Sequence, residues 1–392
     1  MLRLRHRTSG YARSAIVGLV ALALVFVVLA RGAAAAPPRF VAHDLGTLGG
    51  TGSEPFAISP SGQVVGASST AADDEHAFSW TQLGGMVDLG TLGGSDSRAL
   101  AVSPSGQVVG YSRTASGDYR AFSWTQSGGM VDLGTLGGGS SGAVAVSPSG
   151  QIVGSSNTAD GDSHAFSWTQ RGGMVDLGTL GGGDSAASAV SASGEVVGYS
   201  STAENAVHAF SWTRTGGIVD LGTLGGSYSG ARAVNPSGLA VGYSNPSGAD
   251  DHAVAWTPKG EKIDLGTLGG TYSEAWAVNP RGQVVGTSST PEGMTLAFSW
   301  TRAHGMVNLG SLVENGYSEA FGVNPRGQVV GYSSTTSGEF HAFAWTQSGG
   351  MVDLGTLGGG ESMALEVNSN GQIIGHSRTA GGANHAVLWE RP

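Results

Sequence analysis

At 392 residues the chain is long enough to bury a sizeable core, and 68 glycines with 40% hydrophobic and only 12% charged residues exclude a solvated polar coil. It has no cysteine, which removes disulfide frameworks, thiolate metal sites and cysteine nucleophiles together. Its 19 basic against 29 acidic residues give a net charge of −10, a surface that repels nucleic acid.

The first element in the chain is a targeting segment. Arg3, Arg5, Arg7 and Arg13 precede the apolar run Ala15 to Ala30, and RGAAAAPP follows. This reads as a secretory signal peptide over residues 1–35, with alanines at 33 and 35 suited to cleavage. The apolar run is shorter than the roughly 20 residues of a spanning helix, so no membrane insertion is expected after cleavage. Removing residues 1–35 takes away five arginines and no acid, leaving 14 basic against 29 acidic residues, net −15. A secreted, extracellular or periplasmic protein is predicted, with residues 36–392 as its single domain.

That domain repeats one unit. DLGTLGG starts at Asp44, Asp88, Asp132, Asp176, Asp220, Asp264 and Asp353, and a degenerate NLGSLVE at Asn308; the spacing is 44 residues six times, then 45. HAFSW or a variant ends at Trp80, Trp124, Trp168, Trp212, Trp256, Trp300, Trp345 and Trp389. In the unit from Ser97, the segments SRALAVS, QVVGYS, AFSWT and MVDLG each have strand length and composition. SPSG separates the first two and TQSGG the last two, both hairpin signals built on proline and glycine. Four strands per unit predict an eight-bladed β-propeller, with a β-solenoid as the alternative. In HAFSW the His76, Phe78 and Trp80 side chains share one face, and Ala77 and Ser79 the other, so a large face can pack on a neighbour's small face. The small first strand suits the innermost position. After His385 to Glu390 the chain ends without its fourth strand, and the opening stretch RFVAHDLG supplies one, so the N-terminal strand is expected to close the ring.

Through HAFSW, SPSGQVVG and DLGTLGG, the units resemble the HAF repeat family of bacterial extracellular repeat proteins over about residues 40–392. The resemblance implies an exported, repeat-built bacterial protein and carries no catalytic residues with it.

Each unit offers an Asp before LGTLGG, usually a His before AFSW, and a Ser at positions 53, 97, 141, 185, 229, 273, 318 and 362. A catalytic or metal reading would pair His with Asp. Near-copies in every unit favour a structural network instead, the Asp accepting from backbone N–H groups of the glycine turn. The loops before HAF carry eleven acids, among them Asp73, Asp118, Asp160, Asp162, Asp250 and Glu339. These read either as a solvated rim or as Ca²⁺ ligands; no other cofactor is expected.

A specific ligand would need asymmetry, and departures from the repeat cluster late. Tyr228, Tyr272 and Tyr317 precede the repeat Ser where other units have Gly, Asp, Ser or Glu. Trp276 and Phe321 follow, beside Glu274 and Glu319. Aromatics with carboxylates on adjacent blades would form a stacking platform with polar anchors for a carbohydrate or protein ligand. The expectation is a non-catalytic binding or scaffold module. Its rivals are a polysaccharide hydrolase or lyase, with Glu274 and Glu319 as the paired carboxylates, and a purely structural surface or matrix protein.

Overall fold

A computed structural model of the chain describes residues 40–392, and the signal segment assigned to residues 1–35 lies outside them. The described residues fall within one compact unit made of strands and turns. Strand β1 is Val41–Asp44; the first sheet follows as β2 (Gly49–Ile58), β3 (Val64–Thr70), β4 (Glu75–Thr81) and β5 (Gly85–Asp88), each antiparallel to the one before. The pattern recurs along the chain to Glu390, with the sheets numbered here 1 to 8 in chain order. Antiparallel hairpins within each sheet leave no continuous parallel ladder, which sets the solenoid alternative aside.

Local chemistry explains the pattern. In Ser59–Gly62 the turn closes by Gly62 N donating to the Ser59 carbonyl at 3.0 Å, and Gly62 takes φ +89°, which its side-chain-free backbone permits. Gly66 is needed for a different reason. A Cβ there would land on the Glu54 carbonyl oxygen and 2.8 Å from the Phe78 ring, so the phenylalanine lies directly over bare backbone. The same glycine recurs as Gly110, Gly154, Gly198, Gly242, Gly286, Gly331 and Gly375.

The inner strand of each sheet contacts the inner strand of the next, and that of sheet 8 contacts β2. Large faces pack on small ones as the alternation predicts. Val108 and Phe122 of sheet 2 cover Val65 and Ala77 of sheet 1, while Val64 and Phe78 of sheet 1 cover Ile374, Ala386 and Leu388 of sheet 8. Phe78 and Phe122 are 0% exposed, and burying each ring contributes about 2 kcal/mol.

Sheet 8 obtains its outer strand from the other end of the described chain. β1 pairs with Asn384–Glu390 in the register Val41↔Glu390 to Asp44↔Val387, equivalent to the pairing of β5 with β4. Phe40 and Ala42 pack against a cluster that includes Trp389.

Candidate functional site

The repeating polar residues resolve into a network that holds the fold. His76 Nδ1 lies 2.8 and 3.0 Å from the Asp88 carboxylate oxygens, so it carries the proton and donates. Asp88 Oδ1 also accepts from Gly90 N at 2.7 Å, fixing the turn toward the next sheet. The pair recurs at His164–Asp176, His208–Asp220, His252–Asp264, His341–Asp353 and His385–Asp44. Where Leu296 replaces the histidine, Asn308 replaces the aspartate and still accepts from Gly310 N at 2.8 Å. The repeat serine clips sheet to sheet: Ser97 accepts from Ala77 N at 2.8 Å and donates to the Gly90 carbonyl at 2.6 Å. Ser53 does the same between Ala386 N and the Gly46 carbonyl, across the junction of sheets 8 and 1.

Some of the acids before HAF are engaged locally. Glu75 pairs with Arg98, Asp250 accepts from Thr271, and Asp118 accepts from Ser116. Among the described residues no three His, Asp or Glu side chains converge as metal ligands would.

The late aromatics do come together. Each tyrosine reaches the glutamate two residues on: Tyr272 donates to Glu274 at 2.8 Å and Tyr317 donates to Glu319. Burial and the adjacent carboxylate push both phenols above their usual range, so each O–H remains a donor. Trp276 and Phe321 meet edge to face across sheets 6 and 7, centroids 5.7 Å apart. Tyr228 sits on sheet 5, stacked on Tyr243 at 5.4 Å with the hydroxyls 3.1 Å apart.

The links between these groups are residues absent from the sequence expectation. Arg232 lies 4.0 Å over the Trp276 ring and 5.0 Å over Tyr243, and it forms an ion pair with the buried Glu274. Glu274 thus holds an arginine and a phenol together through charge-assisted contacts. On sheet 7, Tyr332 is 5.7 Å from Phe321 and 5.8 Å from Tyr317, and Phe340 is 5.4 Å from Tyr332. A continuous path of aromatic and charged contacts therefore runs from Tyr228 to Phe340 across three sheets.

The path ends at a cleft of about 400 Å³ between sheets 7 and 8, on the face that carries the loops before HAF. Tyr332 and Phe340 form one wall; Met363, His376 and Arg378 form the other. His376 Nδ1 is shut from solvent and has no hydrogen-bond partner among the described residues, and burial depresses the imidazole's pKa. Phe340, 37% exposed, opens onto solvent. Cross-sheet partners of this kind have weak sequence signals. Tyr332 belongs to VVGYS, a string that also occurs in sheets 2 and 4, whereas Arg232 is the single charged residue at its repeat position.

No family model matches the chain, and no curated protein does. Among solved structures it is similar to Porphyromonas gingivalis dipeptidyl peptidase 4, with a TM-score of 0.58 at 12% identity, covering 88% of this chain and 58% of that one. It is also similar to a prolyl endopeptidase, TM-score 0.54 at 10% identity, covering 87% of this chain and 55% of that one. A looser likeness is to the β-propeller domain of the Trilobed protease from Pyrococcus furiosus, TM-score 0.46 at 10% identity, covering 82% and 98%. The chain spans less than two thirds of the two peptidases' length, and likeness at these identities speaks to fold alone. The repeated four-stranded sheets, with each inner strand against the next, and the likeness to the two peptidases give the chain a β-propeller architecture.

Proposed function

We propose that this chain is an exported, eight-bladed β-propeller closed by its N-terminal strand, serving as a non-catalytic binding module for a carbohydrate or protein ligand. Pairing of β1 with the last strand and the contact of sheet 8 with β2 support closure. The basic and apolar leader, and the resemblance to HAF repeats, support export. One observation carries the binding reading: the aromatic path is confined to three consecutive sheets and ends in an open cleft whose walls combine rings, an arginine and an imidazole. Departure from the repeat on one side is what a specific ligand would require of a ring of like units.

The site favours binding over hydrolysis, because Glu274 is already bound to Arg232 and Tyr272 and Glu319 to Tyr317. A glycan and peptide array with wild type and Phe340→Ala tests the reading, since Phe340 is exposed and its removal leaves the fold intact. Loss of at least about tenfold in affinity is expected, the factor for one stacking contact of about 1.4 kcal/mol. No ligand on either array, or binding untouched by Phe340→Ala, overturns it. Polysaccharide turnover abolished by Glu274→Gln would favour the hydrolase rival instead.

A further inference from the structure

The face opposite the cleft carries a second kind of cavity, and this one is repeated. Grooves open between sheets 1 and 2, 2 and 3, and 6 and 7, with volumes of about 1160, 750 and 1020 Å³. Their walls are built from the same positions. In the first, Gln63, Ser79 and Thr81 come from sheet 1, and Trp124 and Gln126 face them from sheet 2. In the second these positions are Gln107, Ser123, Thr125, Trp168 and Gln170; in the third, Gln283, Ser299, Thr301, Trp345 and Gln347.

Three features of the set point to a ligand class. The shared residues are an indole, two carboxamides and two hydroxyls, so they offer one flat apolar surface ringed by neutral donors and acceptors. The first groove has no charged residue in its lining, and none of the three contains a carboxylate, although the chain as a whole is acidic. Arginines enter only in the second and third; Arg214 and Arg391 share one repeat position, two residues after the marker tryptophan, where the first groove has Gln170, so charge is not common to the whole set. The amides are also held in place. Gln63 donates to Ser79 at 2.9 Å and Gln107 to Ser123 at 2.8 Å, while the Oε1 of each accepts no hydrogen bond among the described residues.

The tryptophans are accessible where the grooves exist. Trp124, Trp168 and Trp345 are half-buried, and their indole N–H groups have no hydrogen-bond partner among the described residues. At the same repeat position Trp256 and Trp389 are 1% and 0% exposed, packed wholly into the core. The sequence marker is thus the same in all units, but only some copies present a ring to solvent.

We propose that these grooves are repeated subsites for a neutral polysaccharide, each stacking one sugar ring on its tryptophan and hydrogen-bonding the hydroxyls to the two carboxamides. A sugar ring has an apolar C–H face and a hydroxyl rim, which matches an indole bordered by amides and requires no ion pair. Several grooves on one face would engage one chain at several points, so that weak single sites add up to useful avidity. This is independent of the cleft between sheets 7 and 8.

The test is calorimetric titration of the full chain with neutral hexasaccharides of β-glucan, α-glucan, xylan, mannan and chitin. Binding of at least one, with more than one site per chain, is expected. Trp124→Ala should remove one site from the stoichiometry. Gln126→Ala, at an exposed position that folding does not use, should weaken that site several-fold. Phe340→Ala should change nothing, which separates this proposal from the cleft reading. No binding by any of the five sugars, a single site abolished by Phe340→Ala, or binding intact in both Trp124→Ala and Gln126→Ala would overturn it.

Discussion

Sheets 1 to 4 and sheets 5 to 8 solve the same turn in two ways. In the first half the inner strand ends in Ser59, Ser103, Ser147 or Ser191, whose hydroxyl accepts from the backbone N–H four residues on and pairs with the serine two residues on, as in Gln63 N to Ser59 at 3.0 Å. In the second half the position is Asn235, Asn279, Asn324 or Asn368. Their Oδ1 caps the turn in the same way, while Nδ2 reaches across to the carbonyl of the matching residue in the next sheet at 3.1 to 3.2 Å. The run ends on Ser59, so sheets 5, 6, 7, 8 and 1 are bonded in series. The half bearing the aromatic path is therefore braced on the opposite face. Larger side chains between sheets need a fixed separation, and four buried cross-links supply one. The contrast is not absolute, because Arg98 paired to Glu75 and Tyr111 beside Tyr119 make a smaller cluster in sheets 1 and 2.

The comparison can be broken most severely at the junction of the two halves. Deleting residues 40–45 removes β1, its ladder to the last strand and the His385–Asp44 pair, leaving sheet 8 with an unpaired edge. A loss of more than about 5 kcal/mol, or of cooperative melting altogether, is expected in thermal denaturation. Removing Arg391 and Pro392 should be nearly silent. Equal melting of the two truncations would count against the pairing as a structural closure.

Asn324 tests the brace itself. Asn324→Ala strips both the turn cap and the bond to Asn368, leaving buried backbone groups unmet, at a cost of about 3 kcal/mol in urea unfolding. Asn324→Ser should recover the cap alone and about half of the loss. If the serine variant matches wild type, the cross-link contributes nothing and the two halves differ in sequence only.

The smallest effect concerns pH. Where sheets 1 to 6 have alanine and sheet 7 has Gly322, sheet 8 has Glu366, accepting from Ile58 N of sheet 1 at 3.0 Å. Burial at this junction pushes its carboxyl up to about 7, outweighing the backbone hydrogen bond. A carboxyl raised in the folded state adds stability that is complete below its unfolded value near 4.5 and fades as pH rises through about 7. His376 acts in the opposite sense, its depressed pKa withdrawing stability as pH falls below about 6.5. Comparison with Glu366→Gln isolates the carboxyl: between pH 5 and pH 8 the wild-type melting temperature should fall by a few degrees more than the variant's. Parallel curves would remove Glu366 as the titrating group.

The strands were legible because each is bounded by its own turn chemistry, and because a marker repeated at 44 residues leaves little freedom in where a sheet begins. Tyr272, Glu274, Tyr317 and Glu319 were legible as departures from the repeat, although their pairing was not. Arg232, Tyr243, Tyr332 and Phe340 were not, because what makes them a path is contact between strands and sheets that the linear order does not reveal. The tryptophans show the limit most plainly. Trp124 and Trp256 sit in equivalent strings, yet one opens onto a groove and the other is sealed in the core.

The pairing of β1 with Asn384–Glu390 joins partners separated by 341 positions, as Asp44 and His385 mark. A strand made among the first waits for the very last one. While the chain is being synthesised, every sheet but one can assemble from its own consecutive residues. The remaining one is finished only once Asn384–Glu390 is made and free to pair. Whatever holds Asn384–Glu390 away from β1 therefore also holds open the edges of sheets 8 and 1, and letting go of it is a late folding step.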